Sequence, residues 1–368
     1  MKKIIIFNGT SSLYGAERGL LNFIKALGGN YEITVVLPKA GFLKEKLKAV
    51  NRDVDIKIFS LPVLTACWSP VYWIKTALSS IVSVIYFSFY VIFKKIDIIC
   101  TNSLLLSFPG VVAKITNKRH IWYLREFLSS GILNKIYGIF VKFFSTTVIC
   151  QSEAIADKLF LKSKSNVIYE PLDTKNYKIY NYQSVRKEFK LPPSARIITI
   201  ISRIHPLKGQ YEFIEKIKDT LKISPDLFLI IIGDISCLSP KNILYKKKME
   251  KVIKENRLNN VFFLGYRDDI DRILSMSDIC VFPFLREEPL GIAVAEALAF
   301  GKKTFYPKSG GLKEVYKIFG SGEDFTIVGV LEAVSRLKSG RLSGTDKLCI
   351  PDALCFKTYK DKIVDIIE

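Results

Sequence analysis

Two carboxylates eight residues apart, Glu288 and Glu296, sit within the stretch REEPLGIAVAEALAFG at residues 286–301. The apolar run ICVFPF (279–284) reads as a strand that feeds the loop holding Glu288. Pro289 suits the first turn of a following helix, where its missing N–H costs nothing. Leu290 and Gly291 complete the approach, and Gly291 leaves the helix N-terminus open to a ligand. Ligands of open α/β sheets bind beyond the carboxyl ends of strands, and helix N-termini attract phosphate. Glu288 is then expected in the loop and Glu296 about one and a half turns into the helix, both able to face one ligand. The plainer alternative is a loop acid that caps the helix and an ordinary acid on its face.

A second constellation is ISRIHPLKGQ at 201–210. A strand pattern ends at Ser202, Arg203 stands at its carboxyl end, and Lys208 and Gly209 follow. Two cations on a loop above a sheet suit a diphosphate, arginine by paired hydrogen bonds and lysine as a point charge. A solvated basic loop is the alternative. A third is SSLYGAERG at 11–19, directly after the first strand pattern, where Gly15 and Gly19 allow close backbone approach. It is not GxGxxG, so it is no dinucleotide fingerprint.

The elements that must position these residues alternate along the chain. KKIIIF (2–7), YEITVVLP (31–38), DIICTNS (97–103), HIWYL (120–124) and TTVICQS (146–152) read as strands, with GAERGLLNFIKAL (15–27) as a helix between the first two. The polar, aromatic stretch 169–195 interrupts the rhythm. It resumes with RIITIIS (196–202), LFLIIIGD (227–234), NVFFLGY (260–266), ICVFPF (279–284) and KTFYP (303–307). Alternation of this kind predicts parallel sheets flanked by helices, and 368 residues exceed one comfortable core. The expected organisation is a first α/β domain over 1–172, a linker over 173–192, a second α/β domain over 193–350, and a C-terminal helix over 351–368 that crosses back to the first.

Composition narrows the functional classes. Hydrophobic residues make up 49% and charged residues 24%, as in an ordered globular protein. The chain starts on a strand pattern, with no cleavable signal pattern. Seven cysteines are scattered singly, which reads as reduced thiols in a cytosolic protein, and two histidines rule out a His-rich metal site. The net charge is +20, of which residues 1–180 hold +13. Such charge suits an anionic membrane surface or nucleic acid, or simply reflects lysine-rich coding. The segment 73–93, WIKTALSSIVSVIYFSFYVIF, carries one charge, Lys75, and Lys94 and Lys95 follow it. Its length suits a membrane span, an interfacial helix or a buried helix covering the first sheet.

Taken together, these motifs resemble those of a retaining glycosyltransferase of the GT-B fold, glycosyltransferase family 4. EEPLGIAVAEALAFG resembles that family's pair of acids eight residues apart, and SRIHPLKGQ resembles its Arg-x4-Lys-Gly phosphate loop. GAERGLLNFIKAL, VICQSEAIADKL, VIYEPLD with Asp173, FLGYRDDIDRILSMSDICVFPF and SGGLKEVY extend the resemblance over nearly the whole chain. The resemblance implies two Rossmann-like, doubly wound α/β domains facing a cleft. It implies a nucleotide-sugar donor, UDP- or GDP-linked, with no cofactor and no metal. Arg203 and Lys208 would neutralise the donor diphosphate, Glu296 would hold the ribose hydroxyls and Glu288 the transferred sugar. Tyr266 and Arg267 would lie near the base, with Pro289, Leu290 and Gly291 lining the donor site, and Gly15 would approach the phosphate or acceptor. The sequence departs from the family at Tyr123, where a histidine is common, although Glu126 matches the neighbouring acid. Either Tyr123 contacts the sugar in its place or activity is altered. His120 is a poor substitute, because a strand residue three positions away faces the other side.

The expectation is a cytoplasmic enzyme, peripheral on the inner face of the cell membrane. It would move a hexose to a lipid-linked saccharide acceptor in surface polysaccharide synthesis, O-antigen, capsule or lipopolysaccharide. Nucleic acid is not the expected partner. Three rivals stand beside this expectation: a nucleotide-sugar epimerase, a nucleotide-sugar-binding protein that has lost turnover, and a nucleic-acid-binding protein using the basic charge.

Overall fold

The computed structural model describes residues 1–11, 15–64, 70–128, 130–172, 177–235, 239–337 and 348–368. The chain divides into two units, Met1–Pro171 with Phe356–Glu368, and Leu172–Cys355. The first unit runs β1 (Lys2–Phe7), α1 (Gly15–Leu27), β2 (Tyr31–Leu37), α2 (Phe42–Val50), β3 (Asp55–Ile58), α3 (Pro70–Phe93), β4 (Ile98–Thr101), α4 (Phe108–Ile115), β5 (Arg119–Leu124), α5 (Gly131–Phe144), β6 (Thr147–Cys150), α6 (Glu153–Lys158) and β7 (Ser165–Val167). Its strands form a parallel sheet in the order β3-β2-β1-β4-β5-β6-β7. Strand alternation splits the core in two. Ile4 and Ile6 of β1, with Ile121 and Tyr123 of β5, face α1 and α2. Ile5 and Phe7 face α3 and α4, and Trp122 and Leu124 face α5 and α6.

The second unit holds α7 (Tyr182–Glu188), β8 (Arg196–Ile201), α8 (Gln210–Ile223), β9 (Leu227–Ile232), α9 (Pro240–Glu255), β10 (Val261–Phe263), α10 (Ile270–Met276), β11 (Ile279–Val281), α11 (Ile292–Ala299), β12 (Lys303–Tyr306), α12 (Leu312–Phe319), β13 (Glu323–Asp324) and α13 (Ile327–Arg336). Its parallel sheet has the order β10-β9-β8-β11-β12-β13. The continuous aliphatic runs of β8 and β9 are buried on both faces, as strands of a helix-covered parallel sheet must be. The segment 173–192, expected as a linker, holds α7. Asn181 caps that helix by accepting from the N–H groups of Gln183 and Ser184. Arg186 pins it through Asp278 at 2.7 Å and the carbonyl of Met276, so α7 belongs to the second unit.

The last helix, α14 (Phe356–Ile367), belongs to the first unit. Tyr359, Ile363 and Ile367 recur at helical spacing and bury one face in the core beside α1. Each such side chain contributes roughly 1.5–3 kcal/mol. Arg119 donates to the carbonyls of Ile366 and Ile367, which ties the helix end to β5.

The segment 73–93 forms most of α3, a helix long and apolar enough to cross a membrane. Phe87 and Val91 pack into the core, with Phe87 edge-on to Phe7 at 4.8 Å. Most of the rest is exposed, including Ile74, Leu78, Ile81, Val82, Ile85, Phe89 at 73% and Phe93 at 83%. The helix is therefore not the fully buried sheet cover that was one expectation for it. A second apolar stripe, Ile132, Ile136, Ile139 and Phe143, is exposed along α5.

Candidate functional site

In the second sheet the chain lays β8, β9 and β10 outward in one direction and β11, β12 and β13 in the other. The reversal falls between β8 and β11, where loops at the carboxyl ends diverge and leave a crevice. The loop after β8 carries Arg203, His205 and Lys208; the loop after β11 carries Glu288. Tertiary structure brings these together across 80 residues: Lys208 Nζ lies 2.7 Å from Glu288 Oε2. Arg203 stands exposed beside them. Burial holds the Lys208 ammonium below its ordinary value, against the pull of Glu288 and with a further push from Arg203. Lys208 also lies over the Phe284 ring, 4.4 Å from its centroid.

The loop geometry is fixed from below. Gly209 adopts φ 72° and its missing side chain makes room for the carbonyl of Pro283. Gln210 is fully buried and donates to Ser202 Oγ and to the carbonyl of Arg203, both at 2.9 Å. No role for Gln210 is readable from its residue type; its place directly after Lys-Gly is the only signal. His205 accepts from the N–H of Leu207 and starts the short turn that ends at Lys208. It serves as a cap, with its imidazole pushed below the ordinary value first by burial and then by Arg203 and Lys208.

Glu288 is held by its backbone. It forms a bridge with Gly310, and its carbonyl accepts from Gly311 N–H at 2.9 Å. The helix starts only at Ile292, after a bend at Pro289 and Leu290, so Pro289 does not start it as its type suggested. Leu290 is buried. Gly291, at φ 90°, is the N-cap of α11, which has no capping side chain and no acid in its first turn. A helix start without its own anion is receptive to a ligand's. Glu296 lies on α11, 4% exposed, and accepts from the hydroxyl of Tyr177 at 2.5 Å. Tyr266 is exposed after β10. The Arg267 guanidinium is committed to Asp269 by two bonds of 2.8 and 2.6 Å, and that partner raises its pKa.

The expected residues of the first unit are placed differently. Gly15 is exposed at the start of α1. Gly19 makes its close approach to protein: a side chain there would collide with Arg125 and Glu170. Tyr123, expected either to contact a sugar or to mark an altered activity, has its side chain turned into the core of the first unit. It is 2% exposed, with its hydroxyl 3.5 Å from that of Tyr359 and the Arg125 guanidinium over its ring. Strand alternation turns it with Ile121 toward α1 and α14. Glu126 is half-buried and accepts from Ser103 Oγ at 2.7 Å and Leu104 N–H at 2.9 Å, which ties two loops. His120 points to the opposite face, between Thr101 Oγ1 and the carbonyl of Phe144, both at 2.8 Å. Asp173 lies outside the described residues.

Comparison with known proteins fits this geometry. Residues 181–325 match the family model "Glycosyl transferases group 1". A trehalose synthase of Pyrococcus horikoshii is 26% identical over 174 residues, 46% of this chain and 41% of that protein. A UDP-Gal:alpha-D-GlcNAc-diphosphoundecaprenol alpha-1,3-galactosyltransferase of Escherichia coli is 27% identical over 157 residues, 42% of this chain and 38% of its own. The chain thus spans about two fifths of the length of these curated relatives. Among solved structures, Anabaena HepE in complex with UDP and glucose superposes with a TM-score of 0.78 at 20% identity, covering 100% of this chain and 99% of that one. Residues 181–325 thus resemble glycosyl transferases group 1 in sequence, within a chain that has the GT-B fold.

Proposed function

We propose that the protein is a retaining glycosyltransferase that moves a hexose from a nucleoside diphosphate donor to a lipid-linked saccharide during synthesis of a surface polysaccharide. The observation that supports this most is the meeting of Lys208 and Glu288 at 2.7 Å beside Arg203, above the β8/β11 reversal. In this reading the bond from the sugar's anomeric carbon to the diphosphate breaks, and a bond to an acceptor hydroxyl forms on the same face. The hydroxyl proton passes to the departing phosphate oxygen. Arg203 and Lys208 take up the charge that develops on the diphosphate, a preorganised electrostatic contribution that stands in for a metal ion. Lys208 is poorly solvated, so its charge acts at low dielectric. Glu288 orients the sugar hydroxyls and Glu296 the ribose diol. Uridine is the first base to test, because HepE was solved with UDP and the E. coli relative is named for UDP-Gal. That relative's name also supports a diphospholipid-linked acceptor.

The reading places the enzyme on the cytoplasmic face of a membrane. The exposed apolar stripes of α3 and α5 suit insertion at the lipid boundary, and Lys94, Lys95 and Lys142 at the ends of these helices suit anionic headgroups. Calorimetric binding of UDP, GDP and ADP tests the donor site. One nucleotide binds the wild type, and Glu296→Ala and Arg203→Ala weaken it. Binding indifferent to both substitutions would sink the site assignment. Sedimentation with phosphatidylglycerol-containing vesicles tests the membrane placement; Phe89→Glu with Ile85→Glu should leave the protein in the supernatant, and retention of wild-type sedimentation by that variant overturns it.

A further inference from the structure

Tyr177 was not among the residues the sequence singled out, yet its hydroxyl donates to Glu296 Oε1 at 2.5 Å. Its ring seats edge-on against Phe300 of the same helix region, with centroids 5.5 Å apart. The chain that follows is strapped along α10: the N–H of Lys178 bonds Asp271 at 3.2 Å and the N–H of Tyr180 bonds Ser275 Oγ at 3.0 Å. Asp271 and Ser275 are one helical turn apart, so they present two acceptors to one extended segment. Arg272, on the same helix, covers the Tyr180 ring at 5.1 Å. This is an ordered seat that aims one hydroxyl at one buried carboxylate.

We propose that Tyr177 is a built-in occupant of the ribose position and sets the affinity for the donor by competing with it. The inference rests on the assignment of Glu296 to the ribose hydroxyls. A phenol hydroxyl and a ribose hydroxyl are chemically alike toward a carboxylate, since each donates one O–H to one oxygen. A carboxylate that is 4% exposed is costly to leave without donors. Tyr177 supplies one in the donor-free protein. A vicinal diol supplies two and can replace it without exposing the acid to water. Binding then includes the loss of the Tyr177 bond, which weakens the donor by about the worth of that bond. The two ends of the donor are affected unequally. The diphosphate meets Arg203, Lys208 and the α11 N-terminus, none of which Tyr177 bonds; only the ribose meets Glu296.

The test is calorimetry on the full chain with three ligands: UDP, 2′,3′-dideoxy-UDP and inorganic pyrophosphate. Tyr177→Phe keeps the ring on Phe300 and removes the hydroxyl. It should tighten UDP about five-fold, the effect of one hydrogen bond of ordinary net strength. It should leave pyrophosphate unchanged, because pyrophosphate does not enter the ribose position, and should tighten the dideoxy nucleotide too, because its sugar ring must still displace the Tyr177 hydroxyl from Glu296. A merely structural Tyr177 would shift all three ligands together. Unchanged or weaker UDP binding by Tyr177→Phe, or an equal shift for pyrophosphate, overturns the proposal. Failure of the underlying assignment reads differently: Glu296→Ala would then bind UDP as the wild type does.

Discussion

Both sheets reverse their strand order at matching places, between β1 and β4 in the first unit and between β8 and β11 in the second. The crevices that result are filled in opposite ways. Above β8 and β11 stand an exposed arginine, a partly open Lys208–Glu288 pair and an uncapped helix start. By β1 and β4 the polar groups close on one another. Asn102 donates to Asn8 Oδ1 at 2.7 Å and accepts from Arg125 Nε at 2.8 Å; Arg125 pairs with Glu170, and Asn22 donates to Glu170 at 2.9 Å. The side chains of Arg125 and Glu170 are 2% and 1% exposed. The same topology therefore supplies a crevice twice, and side-chain chemistry decides whether it is sealed by the protein or left for a ligand. Fold alone does not place a function.

The sharpest way to break this contrast is Arg125→Met. It leaves Glu170 buried without its cation, and removing one partner of a buried pair costs about 3–5 kcal/mol. Urea unfolding followed by tryptophan fluorescence is a clean probe, because Trp73 and Trp122, the tryptophans among the described residues, both fall in the first unit. The double change Arg125→Met with Glu170→Leu should recover much of the loss, since replacing both partners by apolar groups spares the unpaired charge. Nucleotide affinity should stay as it was when the protein is folded. A loss below about 1 kcal/mol for the single variant would mean the network is solvated and the two crevices are alike.

How far these crevices were legible differs with the range of the interactions. The aliphatic runs of β1, β8 and β9 announce buried parallel strands, and all three form where the sequence put them. Strands β3, β7 and β13, which read DIKI, SNV and ED, were missed. Each is short and lies toward a sheet edge, or is one, where half-solvated residues give no apolar run. Helix α7 hid in a polar stretch whose only signal was Asn181, a good N-cap residue. At the site, residue types and spacing pointed to Arg203, Lys208, Glu288 and Glu296, but no local pattern could show that Lys208 meets Glu288. The period-2 rule correctly put His120 and Tyr123 on opposite faces. It could not show that Tyr123's face is covered by Tyr359, 236 residues further along the chain.

Arg203→Ala is the counterpart in the open crevice, with a slightly smaller energy and a different readout. Arg203 is exposed, so unfolding should change by no more than about 0.5 kcal/mol. Transfer from the donor should fall about 10²–10³-fold, the usual effect of losing one preorganised donor at a developing charge. A variant that loses stability but keeps its rate would show that Arg203 is scaffolding and that the second crevice, like the first, is built for the protein itself.

The two histidines extend the contrast to pH. His205, half-buried in the open crevice, is depressed by burial and its basic neighbours. His120, in the first unit, is 1% exposed and burial pushes it to about 4 from its ordinary 6.5. Between those values the unfolded chain binds a proton that native His120 refuses. Stability contributed by neutral His120 is therefore complete above pH 6.5, declines as pH falls toward 4, and changes no further below that. A shift of this size corresponds to a loss of about 3 kcal/mol across the window. The tryptophan signal, with Trp122 5.2 Å from the His120 ring, should show the urea midpoint falling over this range, and His120→Gln should flatten the His120 share of the slope. A wild-type midpoint that holds steady from pH 6.5 to 4 would mean that acid water reaches the imidazole through the first unit. The sealed half of the comparison would then be open after all.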